Sequence, residues 1–260
     1  MVDSNILQAL ILTKNEEPNL VRVLDKLQWL EEVIVLDSFS TDRTLEIAAS
    51  YPNVRIVQRQ FDTHGNQWQF GIELCKSAWI LSLDADYVLS NEFIAETRMY
   101  ISVDSIVAYE TEFTFLVFGK PLLKDNTTPR PVLFQKNNCS YYDDGHTQRL
   151  MINGPVGRYK SKILHDDRKS FSRWLSNQDG YAIKEAAKLI DRSDEKLPLS
   201  SKIRTTKVFA PFIVFFYSLF IKGLIFNGWR GWHYTLQRTM VEMILAIRLI
   251  EEEKLNKDLD

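Results

Sequence analysis

Four short strand-like runs, mostly apolar, alternate with amphipathic stretches over the first hundred residues, and this alternation limits the fold more than any other feature of the chain. Residues 6–12 end in the polar cluster Thr13-Lys14-Asn15-Glu16, and residues 33–36 end in Asp37. Residues 54–57 form a third run, and residues 79–83 lead directly into Asp84-Ala85-Asp86. Runs of this length suit strands buried on both faces of a parallel sheet. Between the first two, Leu20, Val23, Leu24 and Leu27 recur at helical spacing, with Asn15 as the expected cap and Pro18 in the first turn. Residues 42–50 and 66–76 give two further helices. Strand and helix in strict turn predict an α/β fold, a Rossmann-like, mostly parallel sheet with right-handed crossovers. Ligands of such sheets bind beyond the carboxyl ends of the strands. The polar clusters at 13–16, 37–42 and 84–86 fall there.

The pattern changes after residue 105. Residues 106–110, 112–118 and 132–135 read as strands between Gly, Pro and Asn clusters, which makes the sheet mixed. Residues 166–195 have helical spacing in Trp174, Tyr181, Ala182, Ala186 and Leu189. With 32 basic against 34 acidic residues, nothing in the overall charge favours a nucleic-acid partner. The two cysteines, Cys75 and Cys139, lack metal-type spacing and read as free thiols of a reducing compartment. No Lys or Arg precedes the first apolar run, so no signal peptide is expected and the chain reads as cytoplasmic.

Asp84-Ala85-Asp86 is the most informative motif. Two carboxylates closing a buried strand repel one another and lose hydration, unless a cation compensates them. Hard oxygen donors suit Mg²⁺ or Mn²⁺, held between one or two carboxylates and substrate phosphates. The competing reading is a turn in which Asp is merely a turn former. Asp37 is placed to bond a base or ribose. Ser40 or Thr41 caps the next helix or meets a ligand. Lys14 is a candidate for a phosphate, and Glu16 for a base or ribose or for a helix N-terminus. No glycine-rich phosphate loop exists, so a nucleotide would need a metal and side chains to handle its phosphates.

Together, "LTKNEE", "VLDSFSTDRT" and "WILSLDADYVL" resemble family-2 glycosyltransferases of the GT-A fold. They most resemble the bacterial branch that includes lipopolysaccharide-core β-glucosyltransferases, and "HDDRKSFSRWL", "YAIKEA" and "KGLIFNGWRGW" also look like that branch. The resemblance implies a catalytic domain over 1–195, with a nucleotide-sugar half at 1–104 and an acceptor half at 105–195, followed by a helical, aromatic-rich segment over 196–260. It implies that Thr13, Asn15 and Glu16 line the nucleoside pocket and that Asp37 contacts uridine. Asp86 becomes the direct ligand of Mn²⁺ or Mg²⁺, with Asp84 nearer the ribose. Gln67 matches a donor-contacting helix position, although the usual following Asn is Gln69 here. Tyr87 stands where the branch usually has Glu. Inverting transfer needs a carboxylate to deprotonate the acceptor hydroxyl. Asp144 is the first candidate and Asp143 the second, beside Gly145 and His146; a solvated turn is the alternative. His165 could complete the metal shell, and Arg130 could meet a diphosphate or an anionic acceptor.

The expected activity is inverting transfer of a hexose from a UDP-sugar to a hydroxyl of a bacterial surface glycolipid or polysaccharide. Two alternatives stand beside it: a sugar nucleotidyltransferase, which would want a glycine-rich loop at 13–16, and a catalytically inactive membrane scaffold. Residues 208–221 carry no charge and are rich in Phe; Lys202, Arg204 and Lys207 precede them, and Lys222, Trp229, Arg230 and Trp232 follow. Three readings are open: a helix in the membrane interface on the inner face of the cytoplasmic membrane, a helix pair buried against the domain or in a homo-oligomer, or a membrane span. A second helix is expected over 236–253.

Overall fold

The computed structural model describes residues 2–103, 105–123, 127–144, 147–191 and 198–257, with the side chains of 144, 147 and 255–257 outside that description. The chain divides into two compact units, Met1–Pro121 with Asn126–Lys169, and Leu122–Asp125 with Ser170–Asp260.

In the first unit the elements run β1 (Leu7–Thr13), α1 (Leu20–Leu24), β2 (Val33–Asp37), α2 (Thr44–Ala49), β3 (Val54–Gln58), α3 (His64–Leu74) and β4 (Trp79–Asp84). There follow β5 (Tyr87–Val88), α4 (Asn91–Tyr100), β6 (Ala108–Thr111), β7 (Phe113–Val117), β8 (Lys120–Pro121) and β9 (Arg130–Gln135). The unit ends with β10 (Cys139–Asp144), β11 (Thr147–Ile152), β12 (Val156–Arg158) and β13 (Ile163–His165). Among the described residues a seven-stranded sheet has the order β12-β6-β9-β4-β1-β2-β3. The strands β1 to β4 are mutually parallel where they pair, and β9 runs antiparallel to β4 and β6.

The core shows why these runs become strands. In β1, Leu7, Ala9 and Ile11 pack on one face with Leu20, Leu24, Leu27 and Phe93. Leu10 faces the other way, onto Trp68 and Ile72 of α3, with Ile34 and Leu36 of β2. Side chains alternate across a strand, so a largely apolar run suits burial on both faces, and the polar exceptions are bonded, as Gln8 is to the Lys76 and Ser77 amides.

Four strands form a second sheet, β5-β13-β7-β8. Within it, His165 pairs with Tyr87 and with Phe115. A third piece is the β10–β11 hairpin, which pairs Cys139 with Ile152 and Asp144 with Thr147.

Several local expectations are corrected. Asn15 is not a cap: α1 begins after Asn19, and Asn15 adopts a left-handed backbone with φ 56°. Neither Ser40 nor Thr41 caps α2, whose N-cap is Arg43 without a side-chain cap bond. Helix α4 was not anticipated, because within it only Phe93 and Thr97 are buried and the apolar period is faint. Its start is set by Ser90, whose Oγ accepts the Phe93 amide.

The second unit contains α5 (Phe171–Asp191), α6 (Leu199–Thr205), α7 (Phe209–Phe216) and α8 (Trp229–Lys257). Ala182, Ala186 and Leu189 of α5 pack on Leu245 and Leu249 of α8. This contact places α5 in one compact unit with the C-terminal helices. Gly231 lets α8 start hard against the preceding turn, since a Cβ there would lie 1.8 Å from the Leu224 carbonyl oxygen. No described helix is long and apolar enough to cross a membrane.

Cys75 and Cys139 are free and buried, as their spacing implied. Burial disfavours the thiolate, pushing Cys75 up to about 12 and Cys139 up to about 11. Native protein at pH 8 should therefore react with iodoacetamide at neither cysteine over minutes, while denatured protein labels both. Mass spectrometry of the two states gives the measurement.

Candidate active site

The loops after β1 and β2 are laced together, and this consumes several polar side chains that the sequence offered for ligand binding. Thr13 Oγ1 donates to Asp37 Oδ1 at 2.9 Å. Asp37 has no exposed surface. Its carboxylate also accepts from the Ser40 amide and Oγ and from Gln58 Nε2. Lys14 Nζ donates to the carbonyls of Ser38 and Phe39 at 2.8 and 2.6 Å. Asn15 donates its amide to Ser40 Oγ and accepts the Thr41 amide at Oδ1. The Glu16 amide donates to Thr44 Oγ1. The hydroxyls of 40, 41 and 44 thus bind the neighbouring loop.

One side chain of the first cluster, Glu16, points elsewhere. It meets Lys169 Nζ at 3.0 Å and accepts from Asn19 Nδ2 at 3.0 Å. Burial pushes its carboxyl up to about 7, with Lys169 opposing and the charge of Asp86 adding to the rise. Lys169, whose side chain is 9% exposed, also lies 3.2 Å from Asp167 and 3.9 Å from Asp86. Burial acts to lower its pKa, but the three carboxylates outweigh it and hold the ammonium above its usual range.

Asp86 is the centre of this group. His165 Nε2 lies 3.2 Å from Asp86 Oδ2. The other oxygen, Oδ1, is buried with no hydrogen-bond partner. Burial would raise the Asp86 carboxyl, yet His165 and Lys169 hold it down to about 2. Asp84 goes the opposite way, raised by burial and then by the charge of Asp86, with Tyr87, His165 and Arg130 opposing. His165 is raised because Asp86 and Asp84 overcome the effect of its burial. One carboxylate of the pair is therefore kept ionised and the other is pushed toward taking a proton, as expected for like charges forced together.

An orphaned, ionised, buried oxygen beside a second carboxylate and an imidazole fits a hard divalent cation. Among the described residues, no three His, Cys, Asp or Glu side chains converge as a complete cage, so Asp84, Asp86 and His165 are not a preformed triad. Mg²⁺ commonly takes only one or two carboxylates and completes its shell with water and phosphate oxygens.

Residues 9–150 match the family described as Glycosyl transferase family 2. The chain belongs to glycosyl transferase family 2. An uncharacterized glycosyltransferase of Rickettsia bellii is 33% identical over 138 residues, 52% of this chain and 44% of that protein. The matched part thus spans under half the length of this relative. The lipopolysaccharide core biosynthesis glycosyltransferase LpsC of Rhizobium meliloti is 23% identical over 98% of this chain and 96% of its own. Among solved structures, S. aureus TarS 1-349 in complex with UDP-GlcNAc aligns with TM-score 0.52 and 14% identity, over 97% of this chain and 92% of its own. The mannosyltransferase PcManGT from Pyrobaculum calidifontis, solved with GDP-Man and Mn²⁺, aligns with TM-score 0.52 and 14% identity, over 96% and 87%. These likenesses establish the GT-A fold.

The remaining family positions divide by what they touch. Gln67 is fully buried and bridges Ser38 Oγ and Arg59. Asp143 accepts from Thr63 Oγ1 and from the Gly65 amide, both at 2.7 Å, and so seals the start of α3. Gly65 permits this approach, since a Cβ there would lie 2.7 Å from the Asp143 nitrogen. Both oxygens of Asp143 accept bonds here, and the first candidate for the base, Asp144, has its side chain outside the described residues, as do Gly145 and His146. Arg130 is exposed and close enough to Asp84 to favour its ionised form.

Residues of the 165–169 segment other than His165 were missed from sequence. The Asp166 amide donates to the Asp86 carbonyl at 3.0 Å. Asp166 is paired with Arg22 and Arg168, and Asn19 holds Asp167 and the Arg168 amide. The signal was there in "HDDRK", five polar residues closing an apolar run, but nothing local indicates which of them turns inward.

Two substitutions test this wiring. Asp143→Ala removes the acceptor of the Thr63 hydroxyl and the Gly65 amide and should destabilise the folded chain by about 1–3 kcal/mol, read as a shifted urea midpoint. Thr13→Val removes a donor from a buried carboxylate and should cost about 1–3 kcal/mol in the same measurement.

Proposed function

We propose that the chain is an inverting, divalent-cation-dependent hexosyltransferase, moving a hexose from a UDP-sugar to a hydroxyl of a bacterial surface glycolipid or polysaccharide. The observation that carries the reading is Asp86 Oδ1, an ionised oxygen at the carboxyl end of the sheet with no protein partner. Family membership supports glycosyl transfer as the reaction. The likeness to LpsC along nearly the whole chain favours a lipopolysaccharide-type acceptor, and the complex of TarS with UDP-GlcNAc favours a uridine donor.

In this reading Asp86 holds the cation, with Asp84 and His165 nearby. The cation, when bound, neutralises charge on the departing diphosphate. Lys169 and Arg130 add positive charge along the same side. The laced loops of 13–16 and 37–44 form a rigid wall for the nucleoside. A direct bond from Asp37 to uracil would need one of its present donors to give way. The acceptor oxygen attacks the anomeric carbon in line as the bond to the phosphate oxygen breaks. Its proton passes to Asp144, and UDP leaves.

The test uses the full chain with UDP-hexoses and Mn²⁺ or Mg²⁺. Free UDP should form, EDTA should stop its release, and Asp86→Ala should lower the rate on the order of 100-fold. A UDP-sugar with Mn²⁺ should also raise the melting temperature, because a ligand of the native state stabilises it, and Asp86→Ala should lose that shift. Pyrophosphate as the product, or UDP binding indifferent to the cation in both proteins, would sink the proposal.

A further inference from the structure

In the second unit most aromatic side chains of α7 face outward. Along α7 and the single π-turn after it (Tyr217–Ile221), the buried positions are Ala210, Pro211, Ser218 and Leu219. The outward positions are Phe209 (68% exposed), Phe212 (59%), Phe216 (56%) and Phe220 (53%). Their spacing of three or four residues puts them on one face. Phe226, Trp229 and Trp232 extend the exposed aromatic surface. Meanwhile Ser218, Asn227, Thr235, Thr239 and Glu242 are buried. A helix facing water would reverse these choices, because exposed phenyl rings forgo roughly 1.5–3 kcal/mol each of available burial.

Charge identifies what covers this face. From residue 199 to 241 the chain has no Asp or Glu, and carries Lys202, Arg204, Lys207, Lys222, Arg230 and Arg238. Arg204 is answered by Glu185 and Glu242, and Lys207 by Glu253. The local balance remains positive. A second copy of this chain would set like charges against each other. A bilayer bearing anionic lipid offers both partners at once, apolar depth for the phenyl rings and negative headgroups for the Lys and Arg side chains. Trp229 and Trp232 suit the boundary between the two.

We infer that this aromatic face is a membrane-docking surface: α7 and the following π-turn lie in the interfacial plane of an anionic lipid bilayer, without spanning it. The surface belongs to the second unit alone and does not depend on the transferase reading of the first.

Vesicle flotation of the full chain tests it, with phosphatidylcholine vesicles against vesicles holding a third of phosphatidylglycerol. The protein should float with the anionic vesicles, and binding should weaken with salt. The triple variant Phe212→Ser, Phe216→Ser, Phe220→Ser should bind at least about tenfold more weakly, since apolar insertion carries interfacial affinity. Lys202→Glu should cost about fivefold or more from lost headgroup attraction. These side chains are exposed, so the melting temperature of each variant in vesicle-free buffer should match the parent, which separates lost docking from lost folding. Parent protein left unbound by both vesicle types would overturn the inference. So would a stable dimer that the Phe variants convert to monomer while neither form floats.

Discussion

The hydrogen bond from the Asp166 amide to the Asp86 carbonyl joins two parts of the chain that have no local reason to meet. It continues the pairing of β13 with β5, where His165 lies opposite Tyr87. Without that register, His165 would not reach Asp86 Oδ2, and Lys169 would not fall between Glu16, Asp86 and Asp167. Three carboxylates crowded beyond one sheet edge are costly without compensating charge. The second sheet delivers that compensation, and the Asn19 and Arg22 contacts to Asp166, Asp167 and Arg168 keep the segment in place.

The same economy of charge explains the divided behaviour of the acid pair. His165 and Lys169 act most strongly on Asp86, which stays ionised, whereas Asp84 is raised by burial and by Asp86, with the Tyr87 hydroxyl, His165 and Arg130 only opposing in part. The surviving negative charge therefore sits on the residue whose free oxygen is buried. A cation arriving with a diphosphate would meet a donor already deprotonated, with no proton to displace first.

The strands β1, β2 and β4 were legible because burial on both faces favours largely apolar runs, and each of these runs ends at a polar cluster. The Asp84-Ala85-Asp86 motif was legible for the same reason: its place at the end of β4 gives it meaning. What the sequence leaves open is the partner of each side chain within the clusters. Thr13, Asn15, Ser40 and Thr41 are chemically suited to ligands, caps or loop bonds alike. The choice depends on partners more than twenty residues away, as in the bonds of Thr13 to Asp37 and Asn15 to Thr41. The strands β5 and β13 span two and three residues, too few to show a period, so the approach of His165 to Asp86 had no sequence signature beyond a polar run. Asp143 offered a carboxylate, and its bonds to Thr63 and Gly65 at the start of α3 follow from a hairpin docking that no local pattern encodes.

The C-terminal unit shows how far composition alone could go. Its Phe content signalled an unusual helix, and length argued against a span, but a buried helix and a surface helix have the same composition. The two differ in which side chains face inward. Here Ala210, Ser218, Leu219, Leu224, Thr235 and Thr239 are buried, while the rings of Phe209, Phe212, Phe216 and Phe220 face out. A helix pair closed over its own aromatic side chains would put those rings against α5 or α8, yet the core between α5 and α8 is built from Ala182, Ala186, Leu189, Leu245 and Leu249. The rings of Phe209, Phe212, Phe216 and Phe220 take no part in that core.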